Sequence, residues 1–224
     1  MQHINLNSNL EGDYLLYYES IFSTIQGEGG SAGYPTTFIR LYGCNLNCSY
    51  CDAPQEDKRK RRISVKNVID DVKQRTPEHV CITGGEPLLQ DEVFPVIYEL
   101  VGENYNVCVE TNGSVLIPDD LHRRSYKYVM DMKCPSSMMH HRNNYENLSR
   151  LHCNDELKFV IKNRDDYEFM RQVLSKYDTN AQILLSPMFE NKSQVIGQKL
   201  SQWVLEDGLR ARIQIQMHKI LKID

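Results

Sequence analysis

Apolar and polar positions along this chain follow two alternating periods. Residues 36–42 form an apolar run of strand length, and so do residues 79–83, 106–110, 128–132, 156–161 and 182–185. Each is short and rich in β-branched residues, which predicts buried strands. Between the runs the period becomes helical. Val65, Val68, Ile69 and Val72 share one face behind Ser64, a candidate N-cap, and Phe94, Ile97, Tyr98 and Val101 mark a second helix. Met170, Val173, Leu174 and Tyr177 mark a third, capped by Asn163, and Ile196, Leu200, Trp203 and Val204 a fourth. Strict alternation over residues 212–217 predicts a last strand. Ahead of all this lie about ten polar residues, read as ragged, then residues 14–18 and a short extended segment. That segment runs into the glycine-rich Gln26-Gly27-Glu28-Gly29-Gly30 loop.

Strands that alternate with helices build a mostly parallel sheet through crossover connections. Six or seven strands are too few to close an eight-stranded barrel. The predicted fold class is therefore α/β: a partial, open TIM-type barrel of about six parallel strands with helices outside. The chain reads as one domain, residues 1–224, of which about 1–18 form an N-terminal extension. In parallel α/β folds ligands bind beyond the carboxyl ends of the strands. That points to residues 43–52, 84–87, 110–114, 131–137, 186–189 and 216–219, each polar or glycine-rich where the strands are not.

A length of 224 residues suffices for a real core, and a net charge of −4 supplies no global basic field. Neither nucleic acid nor an anionic membrane is expected as a partner. No apolar run approaches membrane-spanning length, and residues 1–7 lack the basic start and apolar centre of a signal peptide. The basic run Lys58-Arg59-Lys60-Arg61-Arg62 reads as a solvated loop in an acidic protein. Seven cysteines, an odd number, suggest a reducing compartment, with the cytoplasm as the default.

Three of those cysteines carry the chemistry. Cys44, Cys48 and Cys51 stand at C-x₃-C-x₂-C spacing directly after a predicted strand. Three clustered thiolates can hold a four-iron cluster by three corners and leave the fourth iron open to a ligand. The alternative is structural zinc, using two of them with a second Cys or His pair. Cys81, Cys108, Cys134 and Cys153 are scattered, however, and His140-His141 are adjacent residues, which rarely face one metal. The spacing, with the aromatic Tyr50 ahead of the third cysteine, resembles that of the radical S-adenosylmethionine (SAM) enzymes.

The resemblance narrows when further motifs are added. Ile25-Gln26-Gly27-Glu28-Gly29, Phe38-Ile39-Arg40-Leu41, Ile82-Thr83-Gly84-Gly85-Glu86-Pro87, Val109-Glu110-Thr111-Asn112-Gly113, Lys133-Cys134-Pro135-Ser136-Ser137 and Gln216-Met217-His218-Lys219 together resemble the 7-carboxy-7-deazaguanine synthases. The match runs from about residue 20 to the C-terminus. It implies a homodimer of shortened barrels that turns 6-carboxy-5,6,7,8-tetrahydropterin into 7-carboxy-7-deazaguanine with release of ammonia. It also implies one 4Fe–4S cluster on Cys44, Cys48 and Cys51, SAM on its open iron, and an electron donor such as flavodoxin or ferredoxin. An electron from the cluster cleaves SAM to methionine and a 5′-deoxyadenosyl radical, chemistry that belongs to the cofactor.

Carried onto this chain, the resemblance assigns SAM to Gly85, Glu86, Thr111, Asp131, Met132, Lys133, Ser186, Pro187, Met188 and Phe189. Gly85 is expected to bring backbone close to the SAM methionine. The pterin falls to Ile25, Gln26, Gly27, Glu28, Arg40, Thr83 and His218. Arg40 is the natural grip for its carboxylate, since a guanidinium offers two parallel hydrogen bonds. Glu28 is expected to accept from the pterin N–H groups. No side chain is assigned as a catalytic acid or base.

Some readings of the residues stay open. Glu86 also suits a helix cap, and Lys133 and Lys158 also suit exposed surface. Trp203 and the Met170 stripe read as core, and His140-His141 as surface loop. Two positions depart from the family. Ala53 stands where a Thr or Ser hydroxyl usually follows Cys-Asp and serves magnesium, and Asp131-Met132 replaces a frequent Ser-Pro. Two other functions compete: an activase that makes a glycyl radical on a partner protein, and a non-catalytic metal-binding module.

Overall fold

The computed structural model describes residues 14–51, 61–119, 125–189 and 193–223. Among the described residues nine strands form one sheet in the order β3-β1-β2-β4-β5-β6-β7-β8-β9. They are β1 (Leu15–Ile25), β2 (Pro35–Leu41), β3 (Arg61–Ser64), β4 (His79–Gly84), β5 (Asn106–Thr111), β6 (Lys127–Asp131), β7 (Glu156–Ile161), β8 (Gln182–Pro187) and β9 (Arg212–Ile213). From β2 onward each pairs in parallel with its neighbour in that order, apart from β3. β1 is antiparallel to both β2 and β3. The sheet is open, with β3 and β9 at its edges. The expected partial barrel is therefore present, with seven parallel strands.

The helices are α1 (Val65–Lys73), α2 (Val93–Gly102), α3 (Asn147–Arg150), α4 (Arg164–Lys176), α5 (Ser193–Glu206) and α6 (Met217–Leu221). Ser64 caps α1 by accepting from Asn67 N at 3.2 Å, and Val65, Val68, Ile69 and Val72 are buried as their spacing predicts. Asn163 caps α4 in the same way through Asp166 N. Met170 is fully buried, and Trp203 packs against the core. His141 is exposed and His140 half-buried, within a 3₁₀ turn.

Three sequence expectations change. Residues 14–18 and the following segment are one long strand, β1, whose pairing with β2 shifts register between Tyr18 and Ser20. A polar bulge there hides its continuity from an alternation test. Part of the supposed extension, from Leu15, and the end of the basic run, Arg61 and Arg62, are thus paired strand. The rest of that run and Ala53 lie outside the described residues. In α2 the buried face is Val93, Val96, Ile97 and Leu100, while Phe94, Tyr98 and Val101 flank it half-buried. That helix is apolar nearly all round, so packing on α1 and β5 sets its rotation, not its own period.

The strand expected over 212–217 stops at Ile213. Gln214 N still donates to Leu185 O at 2.9 Å, but its side chain then turns to accept from Gly29 N at 2.7 Å. Met217 N donates to Gly27 O at 3.0 Å. The chain leaves the sheet to fasten the glycine-rich loop.

Strand parity decides what faces the barrel interior. Arg40 on β2 stands opposite Thr83 on β4, and Asp131 on β6 opposite Lys158 on β7. With Glu110 on β5 these side chains reach into cavities, whereas their strand neighbours Ile39, Ile82, Val109, Met130 and Leu157 pack into the core.

Candidate active site

Gly43 opens the cysteine loop with a φ of +94°, a region that favours glycine. The loop then leans on the glycine pair after β4. Gly85 N donates to Leu41 O at 3.1 Å, and Glu86 N donates to Gly43 O at 2.8 Å. A Cβ on Gly85 would lie 1.8 Å from Gly43 O. Beside the expected clearance for SAM, the fold supplies a second reason for glycine at this position: the backbone of the cysteine loop fills the space a side chain would need.

Amide donors surround the loop. Leu46 N and Asn112 Nδ2 approach Cys44 Sγ at 3.4 and 3.5 Å, and Ser49 N donates to Ser137 O at 3.1 Å. Donors of this kind stabilise thiolate and tune an iron–sulfur cluster. Cys44 and Cys51 are exposed, Cys48 is half-buried, and none of the three is in a disulfide. Among the described residues no three Cys, His, Asp or Glu side chains converge as a single metal ion needs. A cluster asks less, because each thiolate takes its own iron.

Two cavities lie beyond the strand ends. The first, 260 Å³, is lined by Cys44, Cys48, Tyr50 and Cys51 together with Gly85, Thr111, Asp131, Lys133, Met188 and Phe189. The second, 300 Å³, gathers Ile25, Gln26, Gly27, Glu28, Arg40, Thr83 and His218, all the residues expected at the pterin. Glu28, Thr83, Gly84, Glu110 and Lys219 line both. His218 Nδ1 sits where a Cβ on Gly27 would fall, 2.1 Å away, so that glycine admits the imidazole.

Four of the expected SAM residues do not line the first cavity. Met132 and Ser186 are each 1 % exposed, and Pro187 is buried with them, so all three support its wall from behind. Glu86 is fully buried. Its Oε1 accepts from Leu88 N at 3.0 Å and Thr111 Oγ1 at 2.8 Å, and its Oε2 from Asn112 N at 2.6 Å. Burial pushes its pKa up against these donors. It is a cap and a brace, and SAM finds no free oxygen on it.

The polar network was only partly foreseen. Lys158 Nζ lies 2.8 Å from Glu28 Oε2 and 3.8 Å from Asp131 Oδ2, and Lys133 Nζ lies 3.0 Å from Asp131 Oδ2. Both lysines are half-buried, not exposed. Gln216 Nε2 donates to Glu28 Oε1 at 2.6 Å. Glu110 accepts from Thr83 Oγ1 at 2.7 Å and Gln26 Nε2 at 3.3 Å. Glu110, Asn112 and Gln216 fall in segments the sequence places at the site, but they were given no ligand, and Lys158 was left open. Like Arg40, Glu110 and Lys158 are charges inside apolar strands, a signal that could have found them.

Polar atoms in the first cavity await a partner. Asp131 Oδ1 and the Tyr50 hydroxyl are buried without a hydrogen bond among the described residues. A carboxylate oxygen and a phenol left this way are costly unless something binds there. SAM carries an ammonium and two ribose hydroxyls, so the donor set fits the cofactor.

A three-cysteine loop at the mouth of an open parallel barrel defines a radical SAM enzyme, and residues 38–130 match the radical SAM superfamily. The chain is 41% identical to a 7-carboxy-7-deazaguanine synthase of Methanospirillum hungatei, over 90% of this chain and 83% of that protein. It is 35% identical to one of Koribacter versatilis, over 90% of this chain and 94% of that protein. In fold it is similar to QueE from Escherichia coli, with a TM-score of 0.77 at 21% identity, covering 95% of this chain and 100% of that one. A likeness to Streptococcus suis SuiB is weaker, with a TM-score of 0.57 at 11% identity over 81% of this chain and 48% of that one. The chain belongs to the 7-carboxy-7-deazaguanine synthase family.

Proposed function

We propose that this enzyme converts 6-carboxy-5,6,7,8-tetrahydropterin to 7-carboxy-7-deazaguanine with release of ammonia, a lyase reaction on the route to queuosine and related 7-deazapurines. Its cofactors are one 4Fe–4S cluster and SAM, as in the radical SAM superfamily. The observation that carries the substrate reading is Arg40. Its guanidinium lines the second cavity, 5.4 Å above the Phe22 ring, with no acidic partner among the described residues. A carboxylated substrate supplies that partner.

The remaining roles follow from placement. Cys44, Cys48 and Cys51 hold the cluster. When bound, cluster and SAM supply reductive cleavage and hydrogen abstraction. Asp131 Oδ1 and Tyr50 offer hydrogen bonds to SAM, while Gln26, Glu28, Thr83 and His218 frame the pterin. The shared wall of Thr83 and Glu110 keeps the two ligands adjacent, which is what a reaction between them requires. Ala53 supplies no oxygen to magnesium, which would bind through substrate, water or Asp52.

The fuller reading adds a homodimer, a flavodoxin- or ferredoxin-type electron donor and a cytoplasmic setting. Ile215, Ile220 and Leu221, each more than half exposed near the C-terminus, support a partner copy. No helix among the described residues is long and apolar enough to cross a membrane. The test is an anaerobic assay of reconstituted protein with reductant, SAM and the carboxytetrahydropterin, with and without magnesium, read by mass spectrometry. Formation of the deazaguanine is the expected result. SAM cleavage with the pterin returned unchanged would transfer the assignment to another substrate, the glycyl-radical activase first.

A further inference from the structure

We propose that Lys158 is a positioning residue for the pterin: it holds Glu28 as a carboxylate, so that the substrate meets a fixed acceptor whatever the pH. The proposal rests on the reading that the second cavity takes the pterin. The geometry behind it is an ion pair inside the barrel. Lys158 Nζ lies 2.8 Å from Glu28 Oε2, and both side chains are 15% exposed.

Glu28 has other neighbours, and none does the same work. Gln216, just before α6, donates to its second oxygen at 2.6 Å but carries no charge. His218 on α6 favours the carboxylate to a smaller degree. Asp131 on the neighbouring β6 and Glu110 on β5, one strand further on, are acids whose charges reach Lys158. Lys133 is the nearer partner of Asp131 at 3.0 Å, while Lys158 lies 3.8 Å from that carboxylate and 2.8 Å from Glu28. Lys219 lines both cavities beside them.

The balance is a contest of opposing effects. Burial pushes the Glu28 carboxyl up, but the Lys158 ammonium and the two hydrogen bonds outweigh it and bring the pKa to about 2. Burial works against the Lys158 ammonium too, and the carboxylates of Glu28, Asp131 and Glu110 overcome it and raise that pKa. Without the lysine charge, only the Gln216 hydrogen bond and the smaller effect of His218 oppose the burial of Glu28. A protonated Glu28 would then turn an O–H toward pterin N–H groups that need an acceptor.

The experiment reads Glu28 directly in ligand-free protein. Carboxyl carbon-13 shifts are followed in glutamate-labelled wild type, Lys158→Met and Lys158→Arg, with Glu28→Gln identifying the resonance. Glu28 is expected to stay ionised to about pH 4 in wild type and Lys158→Arg, and to take up a proton above the ordinary carboxylate range in Lys158→Met. Pterin binding without SAM, taken from about pH 8 to about pH 5, then falls about tenfold or more for Lys158→Met relative to wild type. The pterin's own ionisation cancels in that ratio. A Glu28 still ionised at about pH 5 in Lys158→Met overturns the proposal, as does a loss of affinity equal at every pH. Lys158→Gln, uncharged but polar, replaces Lys158→Met should that variant not fold. If Glu28 titrates as expected but wild type binds no pterin, the substrate reading fails and the electrostatic one stands.

Discussion

The two cavities share a wall and treat charge in opposite ways. Around the first, Lys133 and Lys158 both lean on Asp131, at 3.0 and 3.8 Å, and Glu28 is taken up by Lys158 and Gln216. Lys133 and Lys158 thus have their anions before any ligand arrives. In the second, Arg40 stands half-buried over Phe22 with no acid beside it among the described residues. Buried charge is costly unless paired. Pairs that close internally therefore serve as scaffold, which orders a site at little further cost on binding. A guanidinium left open marks the place where the ligand must bring the counter-charge. On the proposed function, the difference separates the residues that shape the site from Arg40, the proposed grip for the substrate carboxylate.

The sharpest way to break the comparison is to empty the first cavity alone. Cys48→Ala removes a thiolate without touching Arg40, Glu28 or His218. SAM cleavage and product formation should both fall by about three orders of magnitude or more, because the cofactor performs the hard chemistry. Pterin binding, measured by equilibrium dialysis, should change little. Full turnover by Cys48→Ala would sink the cluster assignment.

Arg40→Ala attacks the other side and should have the next largest effect. A charge-assisted hydrogen bond contributes about 1.5–3 kcal/mol, so kcat/KM for the pterin should drop roughly 10- to 150-fold. Uncoupled SAM cleavage should persist, since Arg40 does not line the first cavity. Equal losses in both assays would mean that Arg40 braces the barrel, and the distinction between the cavities would collapse.

Much of this was legible before any coordinates. The parallel strands from β2 to β8 follow from apolar runs of strand length, and all seven expected pterin contacts meet in one cavity. What was not legible has physical causes. β1 is interrupted by a bulge, and its partners β2 and β3 are antiparallel to it, a relation that no local pattern encodes. The rotation of α2 depends on what it packs against. Glu110 and Lys158 each carry one inward charge in an apolar strand, and only pairing across strands shows that Lys158 meets both Glu28 and Asp131. The motif places Gly85 at the site, but only the fold shows Gly43 O against it.

Glu86 sharpens the comparison from beneath, where the expected effect is on stability more than on either ligand. Its carboxylate joins the turn at Leu88 to Thr111 and Asn112 at the end of β5, behind the cysteine loop. Glu86→Gln keeps one oxygen for Leu88 N and Thr111 Oγ1 but turns an NH₂ toward Asn112 N, donor against donor. The loss should be on the order of 1–3 kcal/mol, read as a lower urea midpoint. The pH dependence has a definite sign. Burial raises the folded pKa above its ordinary value, so the unfolded chain releases its proton first as pH rises. Glu86 therefore lowers stability progressively from the ordinary carboxylate value up to its own folded pKa, and adds no such slope below that window. Glu86→Gln removes this contribution, so its deficit against wild type should narrow as pH rises through the window. A deficit constant across that range would mean that Glu86 titrates alike in folded and unfolded chains. Its three hydrogen bonds would then balance its burial, and the brace behind the cysteine loop would be electrostatically neutral.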